Sequence, residues 1–203
     1  MPVRMLLIAA LAAAVCGCGG PGSSPSATSP EAESIIRVVS PEREGAQAVG
    51  WSVKSSAFAA GARMPERYTG EGADVSPPLS WTAPPPGTVS LALVCDDPDA
   101  PGGTWTHWLC WNLPPDTVSL PEGVPGAIDP QALRGGVQGT NDFGVLGYKG
   151  PMPPPGPEHR YFFRLYALDN KLNLAPRVRR KSLDMAMAGH VLAETAVVGT
   201  YAR

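Results

Sequence analysis

From residue 51 onward, apolar positions fall in short runs whose spacing is mostly that of strands. Trp51 and Val53 alternate with polar neighbours, the pattern of a half-buried strand. Three stronger runs follow: Val89–Cys95 (VSLALVC), Thr106–Leu113 (THWLCWNL) and Arg160–Leu168 (RYFFRLYAL). Thr195–Tyr201 (TAVVGTY) reads as a short closing strand. One stretch has helical spacing, from Ser182 to about Glu194. Leu183, Met187 and Val191 stand at i, i+4 and i+8, Ser182 can cap, and Asp184 sits in the first turn, where the helix dipole favours an acid. The intervening segments are rich in Pro and Gly, 24 and 23 residues in all. Because they alternate with apolar runs they read as turn-makers. Many short strands and one late helix predict a mainly β fold, an antiparallel two-sheet β-sandwich with a C-terminal helix. No internal repeat is visible, and no helix–strand alternation supports a doubly wound sheet.

The N-terminus follows a different logic. Arg4 precedes a ten-residue apolar run, Leu6–Val15, too short for an ordinary bilayer-spanning helix. Residues 1–17 read as a lipoprotein signal peptide, since Val15-Cys16-Gly17 before Cys18 resembles a bacterial lipobox. Cys18 is the expected lipidated residue. Cys16 is the poorer alternative, and an ordinary secretory signal with incidental cysteines is a third reading. Gly19–Ser34 is small, polar and broken by Pro, so residues 18–49 are expected to be a flexible tether, with Ile35–Val39 a candidate short strand. Residues 50–203 are the expected folded domain. The predicted location is the cell envelope, as a membrane-anchored lipoprotein on the extracytoplasmic side.

With 203 residues the chain suits one domain with a real core. A formal net charge of -2 and a charged fraction of 17% give no attraction to nucleic acid. The three histidines, His107, His159 and His190, make their surroundings informative. Period-two alternation puts His107 on the face of Leu109 and Trp111, a position that usually belongs to a satisfied core histidine. His159 shares parity with Tyr161, so both can aim at one spot; Asp97 and Asp99 share parity beyond the run ending at Cys95. His190, near the Met187/Val191 stripe, reads as structural. Cys95 and Cys110, in neighbouring strand candidates, could form a disulfide or be buried as small apolar residues.

Two ordered signatures add to this. The first is Asp96-Asp97-Pro98-Asp99-Ala100-Pro101, then Trp105-Thr106-His107-Trp108 and Trp111-Asn112-Leu113-Pro114. The second is Gly139-Thr140-Asn141-Asp142-Phe143-Gly144, Gly147-Tyr148-Lys149-Gly150-Pro151-Met152-Pro153-Pro154 and His159-Arg160-Tyr161, leading into Leu165-Tyr166-Ala167-Leu168-Asp169. Over residues 50–203 the chain resembles the phosphatidylethanolamine-binding protein family, in particular its bacterial Raf-kinase-inhibitor-like branch. The resemblance implies a two-sheet antiparallel sandwich with a small surface pocket for phosphate-like anions or phospholipid head groups. By motif match, the ligand-binding residues it implies are Asp97, Asp99, Pro101, His107, Gly150, Pro153, His159 and Tyr161. Arg160 is implied to be structural, pairing with an Asp of the first loop. Met152 stands where many relatives carry Cys, so a thiol role there is absent.

Other chemistries are weakly signalled. The elbow of serine hydrolases, Walker-type glycines and dinucleotide glycines are missing. Asp97, His107 and His159 lack close metal-ligand spacing. The expectation is a binding protein, not an enzyme, with no cofactor and no metal. Its expected partners are a phosphate-like anion or phospholipid head group, the membrane through an N-terminal lipid, and no nucleic acid. The alternative is a protein-directed inhibitor or modulator of protease or kinase type. Arg177, Arg179, Arg180 and Lys181 form a basic run, read as a solvated face or as a contact for anionic lipid.

Overall fold

Eight strands and one helix follow one another along residues 50–203, the part of the chain that this computed structural model describes. They are β1 (Val53–Ser55), β2 (Leu79–Trp81), β3 (Ser90–Asp97), β4 (Trp105–Leu113), β5 (Ser119–Leu120), β6 (Val137–Gln138), β7 (His159–Leu168), α1 (Arg180–Met187) and β8 (Val191–Tyr201). The expected signal peptide, Cys16, Cys18, the tether and the Ile35–Val39 strand lie outside the described residues.

The strands form two antiparallel sheets, ordered β1-β2-β5 and β6-β4-β3-β7-β8. The two-sheet antiparallel fold expected from the sequence is present. The larger sheet is buried on both faces. Its inner face (Leu91, Leu93, Cys95, Trp108, Cys110, Tyr161, Phe163 and Leu165) meets Val53, Leu79, Trp81 and Leu120 of the smaller sheet in one core. Its outer face (Ala92, Val94, Leu109, Trp111 and Leu168) is covered by Leu172 and by Leu183 and Met187 of α1. This double burial explains why β3 reads as a continuous apolar run instead of an alternating one. Cys95 and Cys110 are free thiols within the inner core.

Three expectations are corrected. The helix is Arg180–Met187, not Ser182 to Glu194. Arg179 occupies the N-cap without a side-chain bond, and Ser182 lies inside the helix. Gly189, at φ +83°, turns the chain, and the closing strand then begins at Val191, four residues before Thr195. Val191 is apolar because it packs on the outer face of the sheet, so the i+8 match to Met187 was a coincidence of two elements sharing one core. Secondly, the register of β3 on β4 passes from Cys95↔Trp108 to Asp96↔Thr106, leaving His107 as an extra residue on β4, a β-bulge. Strict alternation therefore fails there: Leu109 and Trp111 lie on the outer face, while His107 turns to the inner side with Trp105 and Tyr161. Thirdly, the basic run is not a uniform solvated face. Arg180 is half-buried and holds Asp96 and Asp184, both at 2.7 Å.

Candidate functional site

Three strand ends meet at one end of the larger sheet. β3 ends on Asp97, β4 starts at Trp105, and β7, antiparallel to β3, starts at His159. With the loop after Asp97 and the segment 152–154 they enclose a pocket of about 230 Å³. Asp97, His107, His159 and Tyr161 form its floor; Pro101, Pro153, Trp105, Phe143 and Met152 form its walls. Such a volume lies below that of most organic-ligand pockets and suits a small group.

The floor is tightly ordered. Asp97 Oδ1 accepts the Asp99 backbone N–H at 2.8 Å, and Asp97 Oδ2 accepts His159 Nδ1–H at 2.8 Å. His107 Nδ1–H donates to the Lys149 carbonyl at 2.6 Å, while the Lys149 N–H donates back to the His107 carbonyl at 2.9 Å. Both rings thus have their tautomer set by a fixed acceptor, leaving Nε2 as the unengaged nitrogen. Burial pushes His107 below its ordinary value, so the ring is neutral near pH 7 and its Nε2 is an acceptor. Tyr161 is fully buried, and its hydroxyl makes no well-formed hydrogen bond among the described residues. Burial, then the negative charge of Asp97 and the approach of its carboxylate to the hydroxyl, push its pKa far up, so it stays a neutral O–H donor. The tyrosine ring meets the His107 ring edge-on, with centroids 5.2 Å apart. No Lys or Arg lines the pocket.

Of the eight residues expected at the site, the structure brings Asp97, Pro101, His107, Pro153, His159 and Tyr161 together around the pocket. Asp99 and Gly150 do not line it. Asp99 instead accepts the Arg160 amide, Nε and a terminal guanidinium N–H at 2.9, 2.8 and 2.7 Å. That hydrogen-bonded pairing lowers the Asp99 carboxyl to about 2 and ties the first loop to β7, the structural role the resemblance implied for Arg160. Gly150 serves close approach: a Cβ there would lie 2.5 Å from the Tyr68 carbonyl oxygen, and its N–H donates to Asp74 at 2.7 Å. Asp74 also holds the Lys149 ammonium, so it steadies the segment that fixes the His107 tautomer.

Sequence reasoning missed Trp105, Phe143 and the support beneath them. Trp105 and Phe143 meet edge-on at 5.6 Å, and both are partly exposed at the pocket mouth. Phe143 is held by Asn141, whose fully buried amide accepts the Phe143 and Val145 N–H groups and donates to Gly147 and His107 carbonyls. The turn-forming Asn-Asp-Phe-Gly was the available signal; it marked a loop but not where the loop folds back. Among the described residues there is no group of three or more His, Cys, Asp or Glu that could hold a metal ion.

Comparison with known proteins matches residues 54–202 to the family model described as phosphatidylethanolamine-binding protein. A UPF0098 protein of Methanothermobacter thermautotrophicus is 52% identical over 152 residues, covering 75% of this chain and 99% of that one. A second, from Pyrococcus horikoshii, is 47% identical over 152 residues, covering 73% and 75%. Among solved structures, E. coli YbcL, described as a new member of the mammalian PEBP family, superposes with a TM-score of 0.71 at 32% identity, over 76% of this chain and 99% of that one. A Chlamydia trachomatis protein, described as a putative phosphatidylethanolamine-binding protein homologue, gives 0.68 at 37% identity, over 76% and 98%.

Proposed function

We propose a function from one premise: the chain belongs to the phosphatidylethanolamine-binding protein family. Its pocket binds a small phosphate-type group, free or as the head group of a phospholipid. The observation that carries this reading is the Tyr161 hydroxyl, a buried donor that makes no well-formed hydrogen bond among the described residues and has only the Asp97 carboxylate near it, set between two histidines of fixed tautomer. Leaving a buried donor unpaired costs about 1–3 kcal/mol, a cost a ligand oxygen would remove. The rest of the floor selects the charge state. Asp97 repels a dianion, and neutral His107 needs a donor, so a protonated phosphate oxygen or a head group carrying its own ammonium fits better than a bare dianion.

Binding, not catalysis, is the role we assign. The pocket lining has no Ser, Thr or Cys nucleophile, and burial pushes the Cys110 thiol up to about 12 in the core, away from any base. The N-terminal pattern of residues 1–18 supports export and anchoring through a lipid on Cys18, which would hold the pocket at a membrane surface. One observation favours a second reading. Trp105, Phe143 and Met152 are 37%, 41% and 48% exposed around the mouth, a rim on which a protein segment could dock.

Calorimetric titration of residues 50–203 tests the first reading. Relatives consisting almost entirely of this domain support its use alone. Phosphate, phosphoethanolamine and a short-chain phospholipid are compared, beside His159→Ala. Saturable heat that falls at least tenfold in the variant is expected. No heat with any of the three from folded protein would abandon the head-group pocket in favour of a protein partner.

A further inference from the structure

The end of the sheet that carries the pocket has a second concavity on its opposite face, an open groove of about 630 Å³ between the start of β4 and the start of α1. Neighbouring residues divide between the two. Asp97, Trp105 and Phe143 face the pocket, whereas Asp96, Thr106 and Asp142 turn the other way. We propose that this groove is a second, separate site for a phosphate-type anion.

Two independent features support it. The first is the start of α1. Among the described residues the amides of Arg180 and Lys181 have no backbone acceptor and no side-chain cap, and the first turn holds no acid. An eight-residue helix thus presents free N–H groups and the positive end of its dipole to the groove, the arrangement that receives phosphate in many proteins. Arg179, Arg180 and Lys181 at that end oppose the dipole, so an anion there relieves an unfavourable accumulation of positive charge. The second feature is Thr106. It is 2% exposed, it lines the groove, and its hydroxyl has no hydrogen-bond partner among the described residues. Its backbone is fully engaged by Asp142, which accepts the Thr106 N–H at 2.7 Å and donates its own N–H to the Thr106 carbonyl at 3.0 Å. Only the hydroxyl is left to serve a ligand.

The acids bordering the groove are already committed. Asp142 Oδ2 holds the Thr106 amide, and Asp184 is taken by Arg180 at 2.7 Å. Arg180 is in turn fixed by Asp96, so it shapes the groove while its charge is satisfied. Lys181 makes no ion pair among the described residues, and Arg179 reaches Asp142 only at 3.9 Å and is 60% exposed. Lys181 is the free cation for an incoming anion, and Arg179, held only by that long contact, can join it. The phosphodiester of a lipid head group and inorganic phosphate share the chemistry required, an anionic phosphoryl group with free oxygens.

The test is a titration followed by backbone amide NMR, with inorganic phosphate as the first probe and phosphatidylglycerol vesicles as the second. The expected result is a single saturation curve for the amides of Thr106, Arg180 and Lys181. It should persist in His159→Ala, which disables the pocket, and weaken about tenfold in Arg179→Gln/Lys181→Gln. Thr106→Val keeps the side chain's shape and should weaken it severalfold with the amide spectrum otherwise unchanged. Vesicles that displace phosphate from this curve assign the site to lipid; vesicles that do not assign it to soluble phosphates. Shifts that vanish in His159→Ala would report the pocket alone and overturn the proposal. Absence of any saturable shift at these three amides, in protein with a dispersed spectrum, would overturn it equally.

Discussion

The chemistry of the pocket rests on Tyr161 and His107, and each gives a prediction in which binding and stability separate. Tyr161→Phe deletes a hydroxyl that makes no well-formed hydrogen bond among the described residues. Stability in urea should therefore hold or rise by about 1 kcal/mol, while affinity for phosphate falls about tenfold or more. A loss of stability would mean that the hydroxyl is satisfied within the protein. His107 titrates below its ordinary 6.5 because it is buried. As pH falls below 6.5 the unfolded chain takes up this proton first, so the stability His107 provides above that pH is lost as pH falls through its depressed folded value. The melting temperature should decline on acidification from pH 7, and His107→Gln should flatten part of that decline. His159 and Tyr161 were legible as partners because they alternate along a regular strand. Asp99 was not separable from Asp97 by parity, since both fit one face; only the turn at Pro98, which sends Asp99 to Arg160, distinguishes them.

Three of the four long strands were legible as elements. β3, β4 and β7 run eight to ten residues; β4 and β7 announce themselves by aromatic content and β3 by an unbroken apolar run. β1, β2, β5 and β6 span only two or three residues, too few for any period to show, and their pairing is a property of the assembled fold. The join of α1 to β8 was misread because Leu183, Met187 and Val191 all pack on one sheet face, and burial alone does not tell a helical from an extended path. Gly189 was the unused signal. Its φ of +83° disfavours any side chain, yet no atom lies within 4 Å of where a Cβ would be. Gly189→Ala should therefore cost about 1–2 kcal/mol through the backbone alone, with α1 and β8 otherwise intact. Chemical denaturation checks the cost. A neutral substitution would show that the turn relaxes out of the left-handed region.

At the scale of the whole molecule, the family match begins at residue 54, leaving the N-terminal export pattern to be tested by itself. Cys18→Ser should move the protein from the membrane fraction to the soluble extracytoplasmic fraction, with Cys16→Ser leaving it membrane-bound; a membrane-bound Cys18→Ser protein would reject Cys18 as the anchor. Within residues 50–203, both faces of the larger sheet are buried, yet at one end they open into two differently charged hollows. What separates them is a count. The extra residue at His107, one of two register shifts between β3 and β4, lets Trp105 and His107 share the inner side with Trp108 and Cys110. Deleting His107 would make Asp96↔Thr106 and Cys95↔Trp108 successive pairs, keep Trp108/Cys110 and Leu109/Trp111 on their faces, and leave the pocket without this histidine. Sidedness here is thus written in chain length as much as in residue type. For this fold, insertion and deletion are the mutations that add or remove chemistry on a sheet face, and a histidine kept in strict alternation with Leu109 and Trp111 would face the wrong way.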